Sequence, residues 1–320
     1  MSSRLPFTVR LPVVAAPMFL VSGPDLVLAA CRAGIVGAFP TSNARPIEVL
    51  EDWMQQITEG LKRAQDEQAA DTIGPWCANL ISHSSNTRLQ EDLALIAKYR
   101  PPVVVTALGS PKAAIEVVHD YGGIVLADVI NLTLAHKAVA AGADGLACIT
   151  SGAGGHTGYL SAFAFVSAVR EFFDGIVAVG GGISDGWGVA GALAAGADLV
   201  YMGTRFIPTH ESMAAPTYKN MLVDCTADDL VISAGITGTP ASWLKPSLQA
   251  NGLDPDQLPP APTRSYDSNQ SIGAKKWRDV WAAGQGVGSI KAVEPTAVVV
   301  QRLIDEYAAA RQRFAALPSY

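Results

Sequence analysis

An eight-stranded parallel α/β barrel is the fold class this sequence predicts, on three observations. Short apolar runs recur eight times between Val13 and Phe206. A stretch with helical spacing follows each of the first seven. A local pattern of helix-ending alanine, glycine and new strand returns three times, as CRAGIVGAF from Cys31, AAGADGLACI from Ala140 and AAGADLVYMG from Ala194. Runs this apolar suit strands buried on both faces, and strands alternating with helices imply crossover connections and a parallel sheet. An open, doubly wound sheet shares the alternation, because periodicity does not show closure. Eight units in strict alternation favour the barrel.

The expected strands are Val13–Met18, Ile35–Pro40, Trp76–Ile81, Val103–Leu108, Ile124–Ile130, Gly145–Thr150, Ile176–Gly180 and Leu199–Phe206. The expected helices are Pro24–Ala33, Pro46–Glu67, Leu89–Tyr99, Pro111–Tyr121, Leu132–Ala141, Ala162–Phe173 and Gly186–Ala195. Gly34, Gly142 and Gly196 supply the left-handed residue that caps a helix C-terminus. The repeat is too irregular for a solenoid. After the eighth strand the pattern breaks. Residues 208–292 hold proline-rich LDPDQLPPAPT, then Trp277, Trp281 and GQGVGS, and are expected to run over the barrel mouth as a lid. Helical spacing returns at Pro295–Leu317 for a closing outer helix. Residues 1–320 are read as one domain.

Composition narrows the function classes. The chain has 320 residues, 49% hydrophobic and 16% charged, with net charge −6. That is enough to bury a large core and too apolar for disorder. No basic stripe with interleaved aromatics speaks for nucleic acid, and no apolar run is long enough for a membrane span. Prolines interrupt the N-terminus where a signal peptide's apolar core would lie, so it reads as mature sequence. Cys31, Cys77, Cys148 and Cys225 match no zinc or CxxC spacing, and the five histidines show no ligand spacing. Thiols in a reducing cytosol, and no metal, are the expectation.

In a barrel of this kind, chemistry sits at the C-terminal ends of the strands. Gly180, Gly181 and Gly182 follow the seventh strand, and Met202, Gly203 and Thr204 end the eighth. Loops at these two places often hold a phosphate, because missing side chains let backbone N–H groups approach the anion. The competing reading is a tight turn. After the sixth strand comes TSGAGGHTG, Thr150–Gly158. Gly154 and Gly155 permit close approach to a flat ligand, and His156 can take a proton near neutral pH. A lone loop histidine is otherwise a surface or capping residue. The nearby phosphate-type turn favours the functional reading and suggests a phosphorylated planar cofactor. Asn79, in the third strand, is either a ring-edge hydrogen-bond partner or a capping amide. Asp128, in the fifth, reads as a buried acceptor and is counted with the cofactor-binding residues. Met18 is core filler or a ligand contact. No dinucleotide fingerprint or P-loop is present, and Gly284–Gly288 lacks the setting of either.

These segments together resemble the nitronate monooxygenase family, formerly called 2-nitropropane dioxygenase. AAPM at Ala15–Met18, AGGHTG at Ala153–Gly158, GGGI at Gly180–Ile183 and MGTRF at Met202–Phe206 occur in that family's order, and AGQG at Ala283–Gly286 is similar to its late active-site segment. The resemblance covers nearly the whole chain. It implies an FMN-containing barrel, with His156 as the catalytic histidine and Gly181, Gly182, Gly203 and Thr204 gripping the phosphate. Ala16, Pro17, Met18, Asn79 and the backbone of Ala153, Gly154 and Gly155 would lie against the flavin. The implied activity is oxidation of an alkyl nitronate, or a nitroalkane that His156 deprotonates, by dioxygen to a carbonyl compound and nitrite. The runner-up is an NAD(P)H-dependent FMN reductase of quinones or enoyl thioesters. A protein that only stores or senses a flavin ranks last. A homodimer in the cytoplasm fits this class. Two positions depart from the pattern. Gly152 stands where many relatives carry an acidic residue, and IVLADVIN lacks the lysine that many carry on the fifth strand.

Overall fold

The computed structural model describes residues 4–67, 72–261 and 278–318. Eight parallel strands close into a barrel: β1 (Val13–Ala15), β2 (Val36–Pro40), β3 (Trp76–Ile81), β4 (Val103–Ala107), β5 (Ile124–Val129), β6 (Gly145–Ile149), β8 (Ile176–Gly180) and β9 (Leu199–Met202). β9 returns to β1 with Val14 opposite Tyr201, which completes the ring and excludes the open sheet. Between the strands run α1 (Pro24–Arg32), α2 (Ile47–Glu67), α3 (Leu89–Tyr99), α4 (Lys112–His119), α5 (Leu132–Ala140), α6 (Ala162–Arg170) and α7 (Gly186–Ala194). The C-terminal helix Thr296–Ala315 packs on α7 and α1 and closes the outer layer. Gly34, Gly142 and Gly196 take φ of 89°, 94° and 108°, the left-handed caps expected of the repeat.

Strand alternation divides the core. One set of side chains, including Val14, Cys77, Val105, Leu126, Ala147, Ala178, Leu199 and Tyr201, fills the barrel interior. The opposite set packs under the helices in two larger clusters. Two residues beyond Cys77 and Leu126, the inward positions are Asn79 and Asp128, so the upper interior turns polar.

Three boundaries differ from expectation. β1 stops at Ala15, before Pro17, which has no N–H for a ladder. β9 stops at Met202. Gly203 leaves the strand with φ −99° and ψ −69°, and Thr204–Phe206 form a 3-10 turn. The third is an unexpected short strand, β7 (Gly155–His156), inside the glycine loop. It pairs antiparallel with β11 (Ala241–Leu244), and β11 pairs with β10 (Leu230–Ser233). The described residues after β9 form α8 (Pro216–Asp224), the strands β10 and β11 of this sheet, α9 (Lys245–Ala250) and a 3-10 turn at Gln285–Ser289. Trp277, with the other residues from 262 onward to it, lies outside the described residues. Among the described helices none is long and apolar enough to cross a membrane. All four cysteines are buried and unpaired, and no cluster among the described residues could hold a metal.

Candidate active site

A cavity of about 1440 Å³ opens at the C-terminal ends of the barrel strands. Ala16, Pro17, Met18, Asn79, Asp128, Ala153, Gly154, Gly155, His156, Gly180, Gly181, Gly182, Gly203 and Thr204 all line it. Met202 does not. Its side chain points outward from β9 into the core beneath the helices, 1% exposed, and its carbonyl accepts the Ala16 N–H at 3.0 Å. Period-two alternation accounts for this, since Tyr201 and Gly203 take the inward positions.

One wall is built from backbone. Gly181 and Gly182 adopt φ of 134° and 71°, which L side chains rarely tolerate. Among the described residues, the N–H groups of Gly181, Gly182, Gly203 and Thr204 have no acceptor. Grouped at two neighbouring strand ends, such donors form an anion cradle. The Thr204 hydroxyl accepts the Gly284 N–H at 2.9 Å, so its own hydrogen remains available to an anion.

The histidine loop is pinned at both ends. Ser151 N–H donates to Leu160 O at 2.8 Å, and Ala153 N–H to Thr150 O at 3.2 Å. Beyond the histidine, the Thr157 hydroxyl donates to Thr150 O at 2.8 Å and its N–H to Pro240 O at 3.1 Å. His156, half-buried, is held between these ties with Ala241 opposite it on β11. The loop also packs backbone against backbone. A Cβ at Gly152 would lie 2.8 Å from Gly182 N, and one at Gly154 would lie 2.6 Å from Gly284 N. This explains the departure at Gly152: no acidic side chain has room there. The late segment is stitched to the same loop, with Gln285 N–H donating to Gly152 O at 3.0 Å. Tyr218 stacks on Trp281 at 5.0 Å and donates to Ala282 O at 2.5 Å, which firms the outer wall.

The floor is the polar upper interior. Asn79 donates to Val105 O at 3.2 Å. The half-buried Asp128 carboxyl makes no hydrogen bond or ion pair among the described residues, and burial pushes it up to about 7. Sequence reasoning counted it among the cofactor-binding residues as a buried acceptor, and it does line the cavity. It overlooked Tyr201, whose only signal was one aromatic among small inward residues. It also overlooked the buried Arg205, which pairs with Glu294 at 3.3 Å and ties the 3-10 turn after Gly203 to the chain's last segment.

A family model described as nitronate monooxygenase matches residues 5–306. The chain is 30% identical over 299 residues to a nitronate monooxygenase of Paraburkholderia phytofirmans, covering 82% of this chain and 81% of that one. Among solved structures, nitroalkane oxidase from Streptomyces ansochromogenes matches with a TM-score of 0.77 at 24% identity, over 96% of this chain and 98% of that one. FabK from Thermotoga maritima matches with a TM-score of 0.75 at 24% identity, over 96% of each chain. At that identity the two structures share the fold with this chain.

Proposed function

The chain belongs to the nitronate monooxygenase family of flavin-dependent oxidoreductases, and from that premise we propose that it binds FMN and oxidises alkyl nitronates with dioxygen to a carbonyl compound and nitrite. One observation carries the reading: the anion cradle and His156 face the same cavity, whose volume of about 1440 Å³ is enough for a planar ring.

The residues fit FMN. Unpartnered N–H groups at Gly181, Gly182, Gly203 and Thr204 suit its phosphate. Ala16–Met18, Asn79 and Ala153–Gly155 would flank the ring. When bound, the flavin supplies the electron acceptor and the meeting point with dioxygen. The protein does the rest. His156 orients an anionic nitronate by hydrogen bonding, or takes the carbon-bound proton of a neutral nitroalkane. The ties at Thr157 and β11 fix its backbone and so limit where the imidazole can reach. Tyr218, Trp281 and Ala282 restrict water.

The test is the absorbance spectrum of the FMN-loaded protein mixed without oxygen, once with an alkyl nitronate and once with NADH. Prompt bleaching by the nitronate alone is expected. Bleaching by NADH alone would overturn the proposal and move the protein to the reductases, with His156 as proton donor to the acceptor.

A further inference from the structure

Three polar side chains face the cavity from the barrel floor: Asn79 from β3, Asp128 from β5 and Tyr201 from β9. Asn79 has its partner. Tyr201 is 9% exposed, and its hydroxyl is sealed from solvent with no hydrogen-bond partner among the described residues. A buried hydroxyl left unmatched is costly, so an orphan of this kind calls for a ligand or a functional reason. Asp128 lies close enough for its charge to raise the Tyr201 hydroxyl further above its ordinary value, burial being the larger cause.

Among the described residues, no cation offsets the burial of Asp128. Tyr201 faces it from β9, Cys148 from β6 feels its charge, and Cys77 on β3 completes the titratable groups around the pair. His156 stands on the cavity wall above. Arg45, Lys112, Lys137 and Arg278 lie on that wall too, yet none offsets the burial that governs the Asp128 carboxyl. Among the described residues, a flat ligand above this floor meets the Asp128 carboxyl, with the Tyr201 hydroxyl sealed behind the cavity surface and the cationic side chains on the wall.

We propose that Asp128, with the sealed Tyr201 as its neighbour, forms a proton-holding subsite for the carbonyl–imide edge of the bound flavin, and is the neutral acid where reduction makes the ring negative. The inference rests on the FMN reading above. The pyrimidine ring is the strongly polar edge of the tricyclic system, and this pair is the unmatched polar floor. At low pH the carboxyl keeps its hydrogen and donates it to a ring carbonyl. At higher pH the oxidised complex holds a carboxylate. When an added reductant then delivers two electrons, the ring takes its usual proton and a second proton from solvent goes to an Asp128 carboxylate oxygen. A carboxylate beneath a negative ring is otherwise strongly unfavourable.

The experiment is the midpoint potential of bound FMN, from about pH 5 to about pH 9, in the wild type, Asp128→Asn and Tyr201→Phe. Wild type and Asp128→Asn should run parallel at the acid end. Above the titration of the pair the wild type should fall below the variant. One extra proton per electron pair is a tenfold change per pH unit, or about 30 mV for a two-electron couple. Tyr201→Phe should keep the divergence and shift its onset. Counting protons taken up per flavin reduced in weakly buffered wild type supplies the same answer without a variant: one at the acid end, rising toward two above. Parallel potentials throughout, or a constant proton count, would overturn the subsite. Failure of the wild type to bind FMN would instead defeat the cofactor reading.

Discussion

Asp128→Asn should make the apoprotein more stable at alkaline pH and leave it unchanged in acid. The carboxyl sits in the barrel floor without a partner among the described residues, and burial pushes it up to about 7 from an ordinary 3.8. Ionising it in the folded state therefore costs about 4 kcal/mol more than in the unfolded chain, at 1.36 kcal/mol per pH unit. Solvent reaching the half-buried side chain lowers this to on the order of 2–4 kcal/mol. Between about pH 4 and about pH 7 the folded state holds a proton that the unfolded state has lost. Stability falls with rising pH across that window, and the whole cost is present above it. Asparagine has the same shape and no charge to bury. Urea unfolding of flavin-free protein, followed by tryptophan fluorescence, should show the variant ahead by that amount at about pH 8 and level near pH 4. Equal stability at about pH 8, or a variant weaker there, would mean that the carboxyl has a partner or that water reaches it freely.

The remaining expectations concern the wall and its supports. His156→Asn should retain FMN while turnover drops roughly a hundred- to ten-thousand-fold, most with neutral nitroalkanes; stopped-flow bleaching checks this, and an unchanged rate removes His156 from the chemistry. Gly154→Ala places a methyl 2.6 Å from Gly284 N, against backbone that cannot yield cheaply. It should cost on the order of 1–3 kcal/mol and weaken FMN retention, read by calorimetry and fluorescence titration. Glu294→Gln leaves the buried Arg205 guanidinium without its carboxylate. A loss of about 3 kcal/mol in urea unfolding is expected, and a loss under about 0.5 kcal/mol would show the pair to be idle.

Much of this architecture was readable because it depends on local rules. The eight apolar runs and the alanine–glycine caps each follow from neighbours in sequence, and the order of the strands follows from the crossover connections. Contacts between distant segments were not readable. Nothing in Gly155–His156 announces a strand, because its partner Ala241–Ser242 lies far along the chain. The strand at Leu199 was expected to continue to Phe206, and only the turn held by Arg205 and Glu294 ends it at Met202. That Asp128 is a buried acceptor was legible, but its lack of a partner was not: whether a polar side chain has one depends on what the other strands place opposite it.

The glycines then acquire a second meaning. Gly152, Gly154, Gly181 and Gly284 would each set a Cβ within 3.0 Å of an atom of another loop, so the loops after β6 and β8 and the late segment pack almost as bare backbone. A wall without side chains has little means of titrating or of reaching for a substrate. On the glycine side the titratable chemistry is thereby left to His156, with Asp128 on the floor below. Absence of an acidic residue at position 152 and presence of one at position 128 are then two sides of one arrangement. Close backbone packing excludes a carboxylate from the loop, and among the described residues the only carboxyl facing this cavity stands on the barrel floor. Placing an acid back at position 152 should therefore not substitute for Asp128. Gly152→Asp combined with Asp128→Asn should separate the loop from Gly182 and lose FMN affinity in fluorescence titration. Wild-type affinity in that double variant would show that the loop has slack, and that the glycines are not there for close packing.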